Sequence, residues 1–384
     1  MKIAFYGSSL LSSYWNWAST YYRGVLRQLA HRGWDVHFYE PDAFDRQQHR
    51  DMDPPDWAKV TVWEATPEDA RRVMAQAAYA DVVVKASGVG VFDDELLHGL
   101  LDIAAPEAVR MFCDVDAAAT LDEMRAAPDH ALRRRIGDLD LVTTYGGGPP
   151  VIAAYTEAGA RRVEPIYNAL DSETHHPVDP DPRFAADLNF LANRLPDREA
   201  RVEEFFLRAA AALSDKRFLL GGNGWDGKPM SDNVQRVGHV GTGDHNAFNT
   251  SSTAVLNVAR ESMAAMGFSP ATRVFEAAGA GACLITDAWD GIEMFLKPDT
   301  EVLVARDGQE VAEHVRALTP ERAAEIGRAG RARILAEHTY EKRGAQLDAI
   351  LREEVGRKRA GGARTLTGSA GAASGAPITE GRFA

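Results

Sequence analysis

The chain has 384 residues, 45% of them hydrophobic and 26% charged, which suits a soluble globular protein with more than one core. Its 43 Lys and Arg against 56 Asp and Glu give a formal charge of −13, which excludes a general grip on nucleic acid or an anionic membrane. A local basic pocket for a phosphorylated small molecule stays open. Two cysteines, Cys113 and Cys283, sit in apolar runs and fit a reducing compartment better than a disulfide framework. No stretch nears the roughly 18 apolar residues of a membrane span, and the N-terminus has no signal-peptide apolar region, so a cytoplasmic location is expected.

Residues 2–6 (KIAFY) read as a buried strand ending at Gly7-Ser8-Ser9, with a helix over 21–31 stopped by Gly33 and a second strand over 35–39. That opening belongs to parallel α/β sheets, where ligands sit at the C-terminal ends of strands. Strands over 81–85, 110–114, 141–144 and 163–166 and helices over 92–103 and 151–158 continue the alternation. The proline-rich stretch after Asn168 breaks it. The pattern then restarts with strands over 188–191, 218–220, 254–258 and 283–286, and helices over 198–213, 309–316 and 320–338. The expected organisation is an N-terminal Rossmann-like domain (1–170), a linker (171–184), a C-terminal Rossmann-like domain (185–356) and a disordered Gly/Ala/Ser-rich tail (357–384).

Chemistry concentrates in the second half. Asn257 and Arg260 follow a strand, and Ser269, Thr272 and Arg273 stand near the start of a short helix. Helix N-termini and guanidinium forks both favour phosphate oxygens. Glu276, a turn later, offers two acceptors for the hydroxyls of a ribose, and the seam Ala277–Ala282 lets a ligand come close. The bland alternative is an i, i+3 surface pair. Gly222-Asn223-Gly224-Trp225 follows a strand and either turns the chain or admits a phosphate or base. In the first half, Gly7, Ser8 and Ser9 with Tyr14-Trp15-Asn16-Trp17 would line a cleft or wedge between domains. Asp114 is the carboxylate considered as a cleft base; Asp114-Val115-Asp116 lacks a third metal ligand, and His175-His176 reads as a solvated turn, so no metal site is expected.

The run SPATRVFEAAGAGACLITD, preceded by LNVARESM and followed by GIEMFLKPDTEVLVARDGQEV, resembles the C-terminal half of the spore-maturation CgeB-like glycosyltransferases of the GT-B class. The likeness extends more loosely to GGNGWDG, VGHVGTGDHNAFNTS and SSYWNWASTYYRG. It implies two facing Rossmann-like domains, with Glu276 on the donor ribose and Arg260 and Arg273 on the diphosphate, helped by Ser269 and Thr272. Gly222 to Trp225 and His245-Asn246 would line the nucleotide. It further implies a UDP- or dTDP-sugar as donor substrate, no cofactor, no metal, and an acceptor that is a glycan, small molecule or macromolecule. Two positions depart from the family. Phe268 stands where retaining relatives carry an earlier Glu, and Trp17-Ala18 replaces a Gly-His pair. The competing readings are a catalytically silent sugar- or nucleotide-binding protein and a nucleotide-sugar epimerase. No heptad or apolar patch fixes an oligomeric state.

Overall fold

The computed structural model describes residues 1–16 and 18–370, with backbone alone over 362–370. Among the described residues, thirteen strands form two all-parallel sheets. The first contains β1 (Lys2–Tyr6), β2 (Asp35–Asp42), β3 (Ala58–Glu64), β4 (Val82–Ala86), β5 (Val109–Asp114), β6 (Leu141–Thr144) and β7 (Val163–Pro165), in the order β3-β2-β1-β4-β5-β6-β7. The second contains β8 (Ala186–Leu191), β9 (Phe218–Gly221), β10 (Val234–Gly238), β11 (Ser252–Asn257), β12 (Leu284–Asp287) and β13 (Leu303–Ala305), in the order β10-β9-β8-β11-β12-β13. Both orders reverse at the first strand of their half, between β1 and β4 and between β8 and β11. In such sheets the crevice at the reversal is where ligands bind.

Period-two alternation explains why both faces are covered. Ile3 and Phe5 join one cluster with the helix Ala18–His31, while Ala4 and Tyr6 join another with Val73, Leu96 and Leu100 on the opposite face. In the second sheet Leu256 and Ile285 face Phe206 and Ala209, whereas Val255 and Leu284 face Val274 and Phe275. Strands β3, β10 and β13 lack an expectation from sequence. β13 has three residues, and β10 is an edge strand with little burial.

The C-terminal helix Tyr340–Ala370 packs on the first sheet, where Tyr340, Leu347, Ile350, Leu351 and Val355 lie in one cluster with Ile3 and Phe5, although it follows the second sheet in the chain. At the start of the expected tail, Arg357 and Lys358 pair with buried Asp140 at 3.1 and 2.9 Å, and Arg359 pairs with Asp81 at 2.7 Å. The expectation for 371–384 lies outside the described residues.

Candidate active site

The loops after β5 and β6 meet the loops after β11 across a narrow cleft lined by Asp116, Tyr145, Gly146, Met263, Ser269 and Pro270 among others. The halves touch by backbone as well as side chain. The Gly147 amide donates to the Phe268 carbonyl at 2.8 Å, and the Phe268 amide donates to Asp290 at 2.6 Å. Phe268 is held at φ 48°, in the left-handed region that a bulky residue enters only under constraint. Glycine at 148 (φ 43°) is required by that contact, because a Cβ there would come within 2.7 Å of the Phe268 side chain.

On the donor side, three guanidinium groups converge. Arg260 opens the helix Glu261–Met266 just after β11. Its Nε donates to Asp197, and its Nη1 reaches across the cleft to Asp116 at 3.4 Å. Arg273, in the helix Thr272–Gly279, donates from Nη1 to Asn249 Oδ1 at 3.2 Å and lies 3.9 Å from Glu276. Arg198, which the sequence reading missed, follows β8 on the other flank of the strand-order reversal. Burial lowers its proton affinity, opposed by Asp197 and Asp287 and reinforced by the charges of Arg260 and Arg273. The Nε atoms of Arg198 and Arg273 are buried without a hydrogen-bond partner. Arg198 repelled by both other guanidinium groups, with a spare donor on it and on Arg273, is an arrangement suited to a polyanion. The helix Pro196–Val202, opening at proline, was the available signal for Arg198.

Glu276 sits beside two histidines. His175 Nε2 is 3.6 Å from Glu276 Oε1, and His245 completes a group whose ligand atoms lie within 4.8 Å of one another. Burial pushes the Glu276 carboxyl up, but Arg273, His175 and His245 outweigh it and hold it below the usual range. Burial and then Arg273 lower His245 from its ordinary 6.5 to about 4. His175 is therefore no solvated turn; it is 6% exposed, while His176 is exposed. Asn246 fastens the linker from the side, accepting from the His176 amide at 3.3 Å and donating to the Thr174 carbonyl at 2.9 Å.

Other expected site residues serve the scaffold. Asn257 is buried and donates to Thr286 at 3.0 Å. Thr272 accepts from Asn168 at 2.7 Å, and Ser269 donates to the Gly267 carbonyl at 2.9 Å while still lining the cleft. Trp225 is a core residue at 3% exposure, its indole N–H donating to Ala192 at 2.7 Å. Gly222 (φ 113°) is needed because a Cβ would sit 2.1 Å from the Ala192 carbonyl oxygen. Asn223 donates its amide to Asn193 at 2.9 Å, and Gly224 (φ 87°) completes this turn.

Asp114 cannot reach the cleft. It is fully buried and accepts from the Asp116 amide and the Thr120 hydroxyl, both at 3.0 Å, and from the Tyr155 hydroxyl. Burial raises its proton affinity. Asp116, two residues on, is the carboxylate that lines the cleft. Gly7, Ser8, Ser9 and Asn16 likewise form an internal knot. Ser8 donates to Asn16 at 2.8 Å, Ser9 donates to fully buried Glu40 at 3.0 Å, and a Cβ on Gly7 would strike Phe38. Trp15 stays out, 77% exposed at φ 47°, beside Tyr14, which stacks on His49. Trp17 lies outside the described residues.

Residues 198–349 match a family described as Glycosyl transferase-like. No curated protein matches the chain. Among solved structures it is similar to sucrose-phosphate synthase from Thermosynechococcus elongatus (15% identity, TM-score 0.65, covering 92% of this chain and 98% of that one). It is also similar to Anabaena HepE in complex with UDP-glucose (14%, 0.64, 92% and 100%) and to T4 phage BGT in complex with its UDP-glucose substrate (12%, 0.58, 92% and 99%). At these identities the likeness shows the two-domain GT-B fold.

Proposed function

We propose that this chain, which has the GT-B fold and matches a family described as Glycosyl transferase-like over residues 198–349, is a glycosyltransferase that moves a hexosyl or pentosyl group from a nucleoside-diphosphate sugar to an acceptor. The observation that carries this reading is the convergence of Arg198, Arg260 and Arg273 at the reversal of the second sheet, with unpartnered Nε atoms on the first and last. A leaving diphosphate would relieve their repulsion and satisfy those donors, so no metal is called for at the phosphates. Glu276 Oε2, on the Arg273 side, would take the ribose hydroxyls. UDP-sugars are the first donors to try, because HepE and T4 phage BGT were solved with UDP-glucose.

The acceptor would enter beside Asp116, with Tyr14 and Trp15 as an outer platform. Arg260 now neutralises Asp116; a bound diphosphate would draw the guanidinium away and leave the carboxylate to receive the acceptor's proton. Titration calorimetry with UDP, dTDP, GDP, ADP and CDP against the matching nucleosides tests the donor half. Tight binding of one diphosphate supports it; nucleoside and diphosphate binding alike overturns it. Trp17-Ala18 in place of the resembled family's Gly-His pair favours a second reading, a silent binding protein, which binding without turnover across donor and acceptor panels would support.

A further inference from the structure

Outside the arginine cluster, one group of side chains has coordination capacity that the fold leaves unused. His175 in the interdomain linker, His245 at the start of the helix His245–Thr250, and Glu276 in the helix Thr272–Gly279 bring two imidazoles and a carboxylate together from three separate elements. His175 Nε2 and His245 Nδ1 are both buried and without a hydrogen-bond partner. A buried polar atom left unmatched costs on the order of 1–3 kcal/mol, and two of them within one cluster that holds a carboxylate amount to an unfinished site.

We infer that His175, His245 and Glu276 form a binding site for one divalent transition ion, Zn²⁺ by ligand chemistry, that fastens the linker to the donor domain. Two imidazoles and one carboxylate with a fourth position left for water is a familiar zinc ligand set. Bonds of about 2.1 Å at tetrahedral angles place ligand atoms about 3.4 Å apart. His175 Nε2 and Glu276 Oε1 already stand at 3.6 Å, and no pair in the group exceeds 4.8 Å, so side-chain rotation closes the rest. The support around the ligands is in place. The Thr174 hydroxyl contacts His175 Nδ1 at 3.0 Å, which orients the ring with Nε2 toward Glu276. Arg273 lies on the other carboxylate oxygen, Oε2, and is anchored by Asn249, so an ion on Oε1 does not displace it.

The consequence for the enzyme rests on the proposed ribose role of Glu276. With Oε1 on the ion, the carboxylate is fixed in rotation and Oε2 is presented to the donor. The segment that His175 anchors joins the two halves of the chain, so the same ion would tie that segment to the second half.

The test needs no donor. The full chain is stripped with chelator, reloaded with Zn²⁺ and passed through gel filtration, and its metal content is measured. A Co²⁺ titration is followed by visible absorption. The expected result is one Zn²⁺ per chain, a tetrahedral Co²⁺ spectrum, and a Tm rise of about 5–10 °C at saturating Zn²⁺. His175→Ala and His245→Ala should each weaken binding at least about 100-fold, while His176→Ala on the exposed neighbour leaves it unchanged. Should either alanine variant fail to fold, the glutamine variants and the wild-type Co²⁺ spectrum carry the decision. No retained metal, or binding that survives loss of His175 and His245, overturns the inference. UDP binding measured in chelator judges the donor reading separately.

Discussion

The two loop clusters at the C-terminal ends of the sheets differ in one respect that separates scaffold from site. After β1, the polar groups satisfy one another: Glu40 accepts from the Leu10 amide, the Ser9 hydroxyl and Gln47, and Asn16 donates to the Ser9 and Ser12 carbonyls. In the second half and the segment that leads into it, before β8, after β8 and on either side of β11, polar groups are left over. Arg198 Nε, Arg273 Nε, Asn249 Nδ2, His175 Nε2 and His245 Nδ1 are all buried and unmatched. Both regions are polar stretches beside a strand, and the chemistry was expected mainly in the second. The first region also keeps two unmatched buried atoms, Arg46 Nε and Tyr22 Oη, so the difference is one of degree: in the second region the unmatched groups include two arginines and two histidines set close to one another.

Four experiments would break or sharpen that contrast. Asp116→Asn should cut turnover by about 10²–10⁴-fold while leaving donor binding intact or tighter, since Arg260 is then freed; steady-state kinetics beside calorimetry separates the two. Unchanged turnover would remove Asp116 from the chemistry. Arg273→Ala should weaken nucleoside diphosphate binding about 100-fold and nucleoside binding hardly at all; equal losses would mean that Arg273 does not meet the phosphates. Glu40→Ala, on the satisfied side, should cost about 3 kcal/mol of stability by orphaning the Leu10 and Leu11 amides, with donor affinity preserved in the folded fraction. Denaturant unfolding reads that loss, and a stable variant with lost donor binding would invert the assignment of the two clusters.

The smallest effect concerns pH. Burial, with Arg343 and Arg333, lowers His338 from its ordinary 6.5 to about 3. The unfolded chain therefore takes up a proton at this residue below pH 6.5 that the folded chain refuses until about pH 3. Stability from His338 is present above 6.5 and is lost progressively as pH falls toward 3. The expected slope is about 2–4 °C of Tm per pH unit, flattened in His338→Gln. Parallel slopes for the two proteins would contradict it.

The sequence by itself determined the α/β alternation, the break after Asn168 and the segment that carries Arg260, Arg273 and Glu276. Strand and helix periodicity is a local property, and a charged residue just beyond a buried strand has few places to point. It did not separate Asp114 from Asp116. Both are acidic residues after β5, and only the packing of Tyr155 and Thr120 around the first leaves the second to the cleft. Nor did it show that Trp225 is core, that Arg198 joins two distant arginines, or that His175 meets His245 and Glu276, 70 and 101 positions further along the chain. Those outcomes depend on which loops the sheet order brings side by side, and that is set by long-range strand pairing. The C-terminal helix makes the same point. Nothing local in its sequence says that it crosses back to the first half, where Asp140 and Asp81, more than 200 residues earlier, pair with Arg357 and Arg359.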